Sequence, residues 1–265
     1  MLTPHKKLSF WAILDDKSNY GHVKLLLAKS DVYTAYQKME ALWEAKLGNC
    51  VVAMHMDGAK ECSLDHLGEN LTSCRVVMQV MAPYAHSQNG KAKQFIQTLK
   101  DGFQTLLTDS GLPMSFWGDT VLTVAYIRNH VPTSVLPTNM TPFEEMEHTK
   151  PDLSHLQVWG CQCFVAIPPE LWTKGGPHCF EAIFVGYEEN HLSWHVQDLN
   201  GKYHFSCDII FNKLVPGHLS PSSSSSPPLP PSSSSSPTLS SPPPHPAHIL
   251  TRTAKGQTFA DAIQL

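Results

Sequence analysis

The chain has no apolar run long enough to cross a bilayer, so no membrane-spanning helix is expected. It has no C-x-x-C pair, and none of its 15 histidines stands at a zinc-type spacing. Its seven cysteines (Cys50, Cys62, Cys74, Cys161, Cys163, Cys179, Cys207) are an odd, scattered set. That argues for reduced, buried thiols in an intracellular protein over a metal site or a disulfide framework. Cys161 and Cys163, two apart, are expected on a single face of a strand. The N-terminus has two lysines and a short apolar patch, but Asp15 and Asp16 occupy the place of a cleavage site, which argues against a signal peptide. What the chain does have is length and apolar content: 265 residues, 42% hydrophobic, with a formal net charge of -4. That suffices for one large or two small domains with a real core.

Patterning divides the chain. Residues 219–246 are almost wholly serine and proline, a composition that cannot bury a core, so 217–265 is read as a disordered tail. Before it, 7–14 and 21–28 read as two strands joined by a turn at 15–20. A helix follows over 30–48, with Ser30 as N-cap and Gly48 at the stop position. Strands at 50–56 and 74–80 precede helices at 88–108 and 114–130, the second started by Pro113. From Val158 to Phe211 the signal becomes short strands with glycine and asparagine turns, the pattern of a small bent barrel. The expected units are 1–135, a linker 136–154, a β-module 155–216 and the tail 217–265.

Two places carry candidate chemistry. Asp57, at the end of a buried strand and before Gly58, is placed to present a carboxylate at a sheet edge, although Asp-Gly is also an ordinary turn pair. The helix opening "SQNGKAKQ" starts on Lys91 and Lys93, where the macrodipole favours acids. Either an anionic ligand faces these lysines or an acidic residue has been replaced. Phe95, Ile96, Leu99, Phe103, Leu106 and Leu107 form an apolar arc, with Lys93, Gln97, Lys100 and Gln104 as a polar stripe beside it.

The stretches "AMHMDGAKE", "APYAHSQNGKAKQ", "LPMSFWGDTVLTVAYIRNHVPT", "NMTPFEEMEHTKPDLSHLQVWGC" and "AIFVGYEE" together resemble the integrase region of Ty1/copia-type retrotransposon Pol polyproteins. The resemblance covers about residues 5–215. It implies an α/β RNase H-like integrase core lacking its first strand, followed by an SH3-like barrel. Such integrases use a D, D-35-E triad whose carboxylates hold Mg²⁺ or Mn²⁺ for phosphodiester attack. Asp57 matches the second aspartate, as catalytic residue and metal ligand. Lys93 stands in the place of the glutamate, and an ammonium cannot ligate Mg²⁺. The first aspartate's motif would lie before Met1, since Asp15 and Asp16 match a non-catalytic turn. Without the first strand, strands 7–14 and 50–56 would have to close on each other or leave backbone groups unpaired.

The resemblance therefore implies an incomplete DNA strand transferase in which stable metal binding is not expected. It also implies weak, salt-dependent contact with DNA or RNA through Gln88, Asn89, Lys91, Lys93, Gln97 and Lys100, and a nuclear location. Three readings stay open: a non-catalytic nucleic-acid-binding Pol fragment, an active strand-transfer enzyme, and a host-retained interaction module that uses the barrel and the Ser/Pro tail.

Overall fold

A computed structural model describes residues 9–48, 51–56, 76–80, 90–137, 139–187, 193–217, 246–252 and 258–264. The first strand, β1 (Ser9–Asp15), is apolar at consecutive positions, and Phe10, Trp11, Ala12, Ile13 and Leu14 are all buried. A strand of this kind belongs inside a sheet covered on both faces. β1 pairs antiparallel with β2 (Gly21–Leu26) through a hairpin. The turn is set by Asp15: its Oδ2 accepts from the Ser18 amide at 2.8 Å and the Ser18 hydroxyl at 2.6 Å. Asn19 completes it at a positive φ of 56°, a conformation asparagine tolerates.

Alternation along β1 feeds two cores. Phe10, Ala12 and Leu14 join one cluster, while Trp11 and Ile13 join the other with Leu26. The second cluster is covered by helix α1 (Val32–Leu47), whose Val32, Tyr36, Met39 and Trp43 recur at helical spacing. Gly48 closes this helix in the left-handed conformation, its amide donating to Glu44 O. The N-cap is Asp31, after a single 3-10 turn at Lys29–Asp31, and not Ser30. Asp31 reaches backwards, accepting from the Leu27 and Ala28 amides at 3.2 and 3.0 Å. Strands β3 (Val51–Met56) and β4 (Val77–Val80) then pair in parallel.

The first cluster is covered by α2 (Gly90–Ser110) and α3 (Trp117–His130). They approach closely, since a Cβ on Gly102 would lie 2.6 Å from the Val124 side chain. Helix α3 is buried on nearly every side because the β-module packs on its far face. That module comprises β5 (Cys161–Ala166), β6 (Cys179–Tyr187), β7 (Trp194–Asp198), β8 (Tyr203–Ser206) and β9 (Ile209–Pro216). It is an antiparallel sheet in the order β8-β7-β6-β5-β9. Irregular register at Cys161/Gln162 and at Phe184/Gly186 bends it. Cys207 and Asp208 separate β8 from β9. Residues 136–154 carry a short helix, α4 (Pro142–Glu147), capped by Thr141 Oγ1 accepting from the Glu144 amide at 3.0 Å. Its Met146 is buried in the α1 cluster.

The tail departs from expectation. Pro246–Arg252 (β10) and Thr258–Gln264 (β11) are strands paired antiparallel with each other. Both pair with β1, β10 in parallel and β11 antiparallel, and both lie against β3. Within the stretch expected to be disordered, 217–265, these two strands are described, and the Ser/Pro tract lies outside the described residues. The edge strands expected to close on each other or stay unpaired have instead taken a C-terminal hairpin between them. The physical reason is the second edge of β1: a strand buried on both faces cannot leave its backbone without partners.

The joint between sheet and helix is made by Asn129, which is 3% exposed. Its Oδ1 accepts from the Gly21 amide at 2.9 Å, and its Nδ2 donates to Gly21 O at 2.7 Å. Only glycine fits at position 21, where a Cβ would stand 2.3 Å from Phe95 Cζ. Removing the amide strands two buried backbone groups. Asn129→Ala is expected to lower stability by roughly 2–4 kcal/mol, measured by urea denaturation of the full chain; a loss below about 0.5 kcal/mol would contradict the joint.

Candidate nucleic-acid interface

Helix α2 opens without an acid in its first turn. Its inward face is Ala92, Phe95, Ile96, Leu99, Phe103 and Leu107, the expected arc, apart from the half-buried Leu106. Its outward face begins with exposed Lys91 and half-buried Lys93. The helical repeat of about 100° per residue puts Lys93, Gln97 and Lys100 on one stripe and Lys91 to one side. Lys91 Nζ pairs with Asp16 Oδ1 on the β1–β2 turn. Gln97 Nε2 donates to Asp101 Oδ1 at 2.7 Å, one turn on. The stripe is therefore cationic and amidic but interleaved with carboxylates. A chain that carries its own anions beside its lysines holds phosphate less tightly than a bare basic patch.

The structure thus brings Lys93, Gln97 and Lys100 together, as the pattern predicted, and joins Lys91 to the hairpin. Asp57, Gln88 and Asn89 lie outside the described residues. Lys93 matters for metal chemistry. A two-cation phosphoryl site needs oxygen donors, and this position on α2 offers an ammonium. Among the described residues, no cluster of three His, Cys, Asp or Glu side chains could hold a metal ion.

A second polar cluster sits where α3 meets the β-module. Tyr203 OH donates to Asp119 Oδ2 at 2.9 Å. Burial and then the Asp119 carboxylate hold the Tyr203 phenol far above its ordinary pKa. Thr123 Oγ1 lies 3.3 Å from Val185 O, and Trp159 Nε1 donates to the same carbonyl at 2.9 Å. On the next turn, Tyr126 stacks on Tyr187 with ring centroids 4.5 Å apart, and its hydroxyl lies 2.7 Å from His155 Nε2. His130 stacks on Tyr126 and on Phe143 of α4. Arg128 sits over the Phe95 ring and donates to Asn19 O at 2.7 Å. Burial lowers its pKa to about 10, so it stays charged at neutral pH. In the sequence, the aromatic and polar content of "TVAYIRNH" reads equally as helix packing.

Cys161 and Cys163 are buried as expected, and burial pushes their thiols up to about 11 and about 12. Cys179 and Cys207 are exposed, which corrects the expectation of buried thiols at these two positions.

Residues 161–225 match the family model described as the retroviral polymerase SH3-like domain. Over 205 residues the chain is 28% identical to the retrovirus-related Pol polyprotein from transposon TNT 1-94 of Nicotiana tabacum, covering 77% of this chain and 15% of that protein. It is 22% identical over 197 residues to the Pol polyprotein from transposon RE1 of Arabidopsis thaliana, covering 73% of this chain and 13% of that protein. The chain thus spans a small fraction of the length of these relatives. Among solved structures, the catalytic core domain of BIV integrase aligns with a TM-score of 0.41 at 14% identity, covering 56% of this chain and 91% of that one. A chain of the simian T-cell lymphotropic virus intasome in complex with PP2A regulatory subunit B56 gamma aligns at 0.39 and 13% identity, covering 71% and 66%. Pol polyproteins of Ty1/copia-type transposons are homologues of this chain, and its β-module carries the SH3-like domain. No helix among the described residues is long and apolar enough to cross a membrane.

Two measurements follow from this geometry. Iodoacetamide at pH 8, read by mass spectrometry of the native chain, should modify Cys179 and Cys207 and spare Cys161 and Cys163; equal labelling of all four would contradict the burial. Burial, aided by the neighbouring His155, lowers the His130 pKa below the ordinary imidazole value, against the opposing Tyr126 carbonyl. The unfolded chain therefore takes up this proton first, and the stability is lost as pH falls from about 6.5. Thermal melts from pH 7.5 to 5.5 should show that decline, and His130→Gln should flatten it.

Proposed function

We propose that this chain is a Pol-derived, integrase-like protein that binds nucleic acid without catalysing strand transfer. The observation that carries the reading is Lys93. It occupies the first turn of α2, in the place where the resemblance to Ty1/copia integrases calls for a metal-binding glutamate. A carboxylate there helps hold a cation between protein and phosphate. An ammonium repels that cation and can itself contact a phosphate.

Helix α2 has no acid in its first turn, so the positive end of its dipole and the lysines act in the same sense toward an anion. Phosphate contact at Lys93 and Lys100, with Gln97 between them, would position a nucleic acid without reading its sequence. Stable binding of Mg²⁺ or Mn²⁺ is not part of this reading. Contact with DNA is the natural role for a relative of Pol polyproteins, and the same stripe would accept RNA phosphates. Action on DNA would place the chain in the nucleus.

A second reading, a protein-contact module, is favoured by the outer surface of the β-module. Leu171, Phe205, Ile210 and Leu214 are 70%, 55%, 75% and 94% exposed. Apolar side chains exposed to this degree are candidate contact points for a partner.

The two readings separate in a binding series with labelled duplex DNA from 25 to 200 mM salt. The nucleic-acid reading expects micromolar or weaker affinity that falls steeply with salt. Lys93→Gln with Lys100→Gln should weaken binding about 3- to 10-fold at low salt and flatten the log–log slope by about 0.9 per lost contact. Binding unaffected by salt and by both substitutions would contradict it.

A further inference from the structure

We propose that residues 151–159 form an acid-released latch, which holds the β-module against α3 at neutral pH and lets it go once His130 and His155 are both protonated. The segment runs from α4 into β5. Toward the β-module, Trp194 Nε1 donates to His155 O at 3.0 Å, the Gln157 amide to Tyr187 OH at 2.9 Å, and Trp159 Nε1 to Val185 O at 2.9 Å. Toward α3, His155 Nε2 lies 2.7 Å from Tyr126 OH. Beside these bonds four rings stack in the order Tyr187, Tyr126, His130 and Phe143, with centroids 4.5, 4.2 and 4.8 Å apart. The column ties β6 to α3 and α3 to α4. His155 stands edge-on to Tyr187, Tyr126 and His130, with centroids at 5.7, 5.8 and 6.0 Å. One imidazole is thus inside the column and the other is against its side.

Neutral rings suit this arrangement. His130 Nδ1 lies 2.7 Å from Tyr126 O. A carbonyl only accepts, so Nδ1 carries the hydrogen and an added proton goes to Nε2. His130 is buried, so little water is at hand to stabilise that charge. With His155 also charged, two imidazolium rings would stand 6.0 Å apart inside a joint of aromatic rings, and they repel. The titratable groups around His130 are Tyr126 of its own helix and His155, while α4 contributes the uncharged Phe143. Those around His155 are Tyr126, Tyr187, His130 and Asp152. Asp152 is exposed and bonded to the Ser154 amide and hydroxyl at 2.9 and 2.8 Å, so solvent screens its charge. The other nearby ions are engaged elsewhere: Arg128 of α3 turns to Phe95 and Asn19 O, and Glu145 of α4 pairs with Lys17. Moving the 151–159 segment out of the joint separates the two charges and returns His155 to water.

The test is hydrogen exchange on the full chain between pH 7.5 and 5.0, with rates corrected for intrinsic amide chemistry. The latch predicts that protection of the Leu156–Gly160 amides falls by about fivefold or more over this range, while that of Ser9–Asp15 changes by less than about twofold. His155→Gln keeps a polar side chain for the Tyr126 hydroxyl and cannot take up a proton. It should hold the fall at Leu156–Gly160 below about twofold, and His130→Gln should do the same. No fall in the native chain, or a fall undiminished in the variants, would overturn the proposal. An equal loss at Ser9–Asp15 would also overturn it, since the whole chain would then be unfolding. If His155→Gln lacks this protection already at pH 7.5, His130→Gln decides.

Discussion

The structure depends on one constraint: β1 is apolar at successive positions and is buried from both sides. Each of Phe10, Ile13 and Leu14 contributes about 1.5–3 kcal/mol by leaving water. Alternation sends these side chains into two cores, so one short strand joins α1 on one face to α2, α3 and the β-module on the other. That burial also removes water as a hydrogen-bond partner for the backbone. Both edges of β1 must then be paired, by β2 on one side and by the C-terminal hairpin on the other.

The same economy of contacts explains why the β-module is not a loosely tethered appendage. The cluster that begins at Phe10 and Leu14 continues through α2 and α3 into Cys163, Phe184 and Val196. Helix α3 is the shared wall. Its Asn129 fixes β2 by both backbone groups of Gly21, and its Asp119 receives the Tyr203 hydroxyl from β8. Such polar contacts are individually modest. Inside a dry joint, their loss leaves groups that cannot be rehydrated, and this makes them directional locks between modules that hydrophobic burial alone would let slide.

Much of this was legible in the sequence for physical reasons. Apolar recurrence at helical spacing marked α1 and α2, Pro113 marked the start of α3, and glycine and asparagine turns marked the short strands. The α/β class with a following all-β module needed nothing more. Boundaries failed where chemistry is local and ambiguous: Ser30 and Asp31 are both good caps, and the carboxylate bound backwards to the preceding loop. The two C-terminal strands were hidden by composition. A segment flanking a serine–proline tract reads as solvated chain unless an unpaired edge elsewhere is known. Lys93, Gln97 and Lys100 shared a stripe by helical spacing alone, whereas the Lys91–Asp16 pair depends on where the hairpin turn falls, which no local pattern encodes.

The functional account rests on the charge at a single helical position. The most direct measurement is a Mn²⁺ titration of the full chain followed by electron paramagnetic resonance. The account predicts that the free-ion signal is undiminished at equimolar metal and protein. Two ions bound with micromolar affinity, and released by Asp57→Asn, would contradict it.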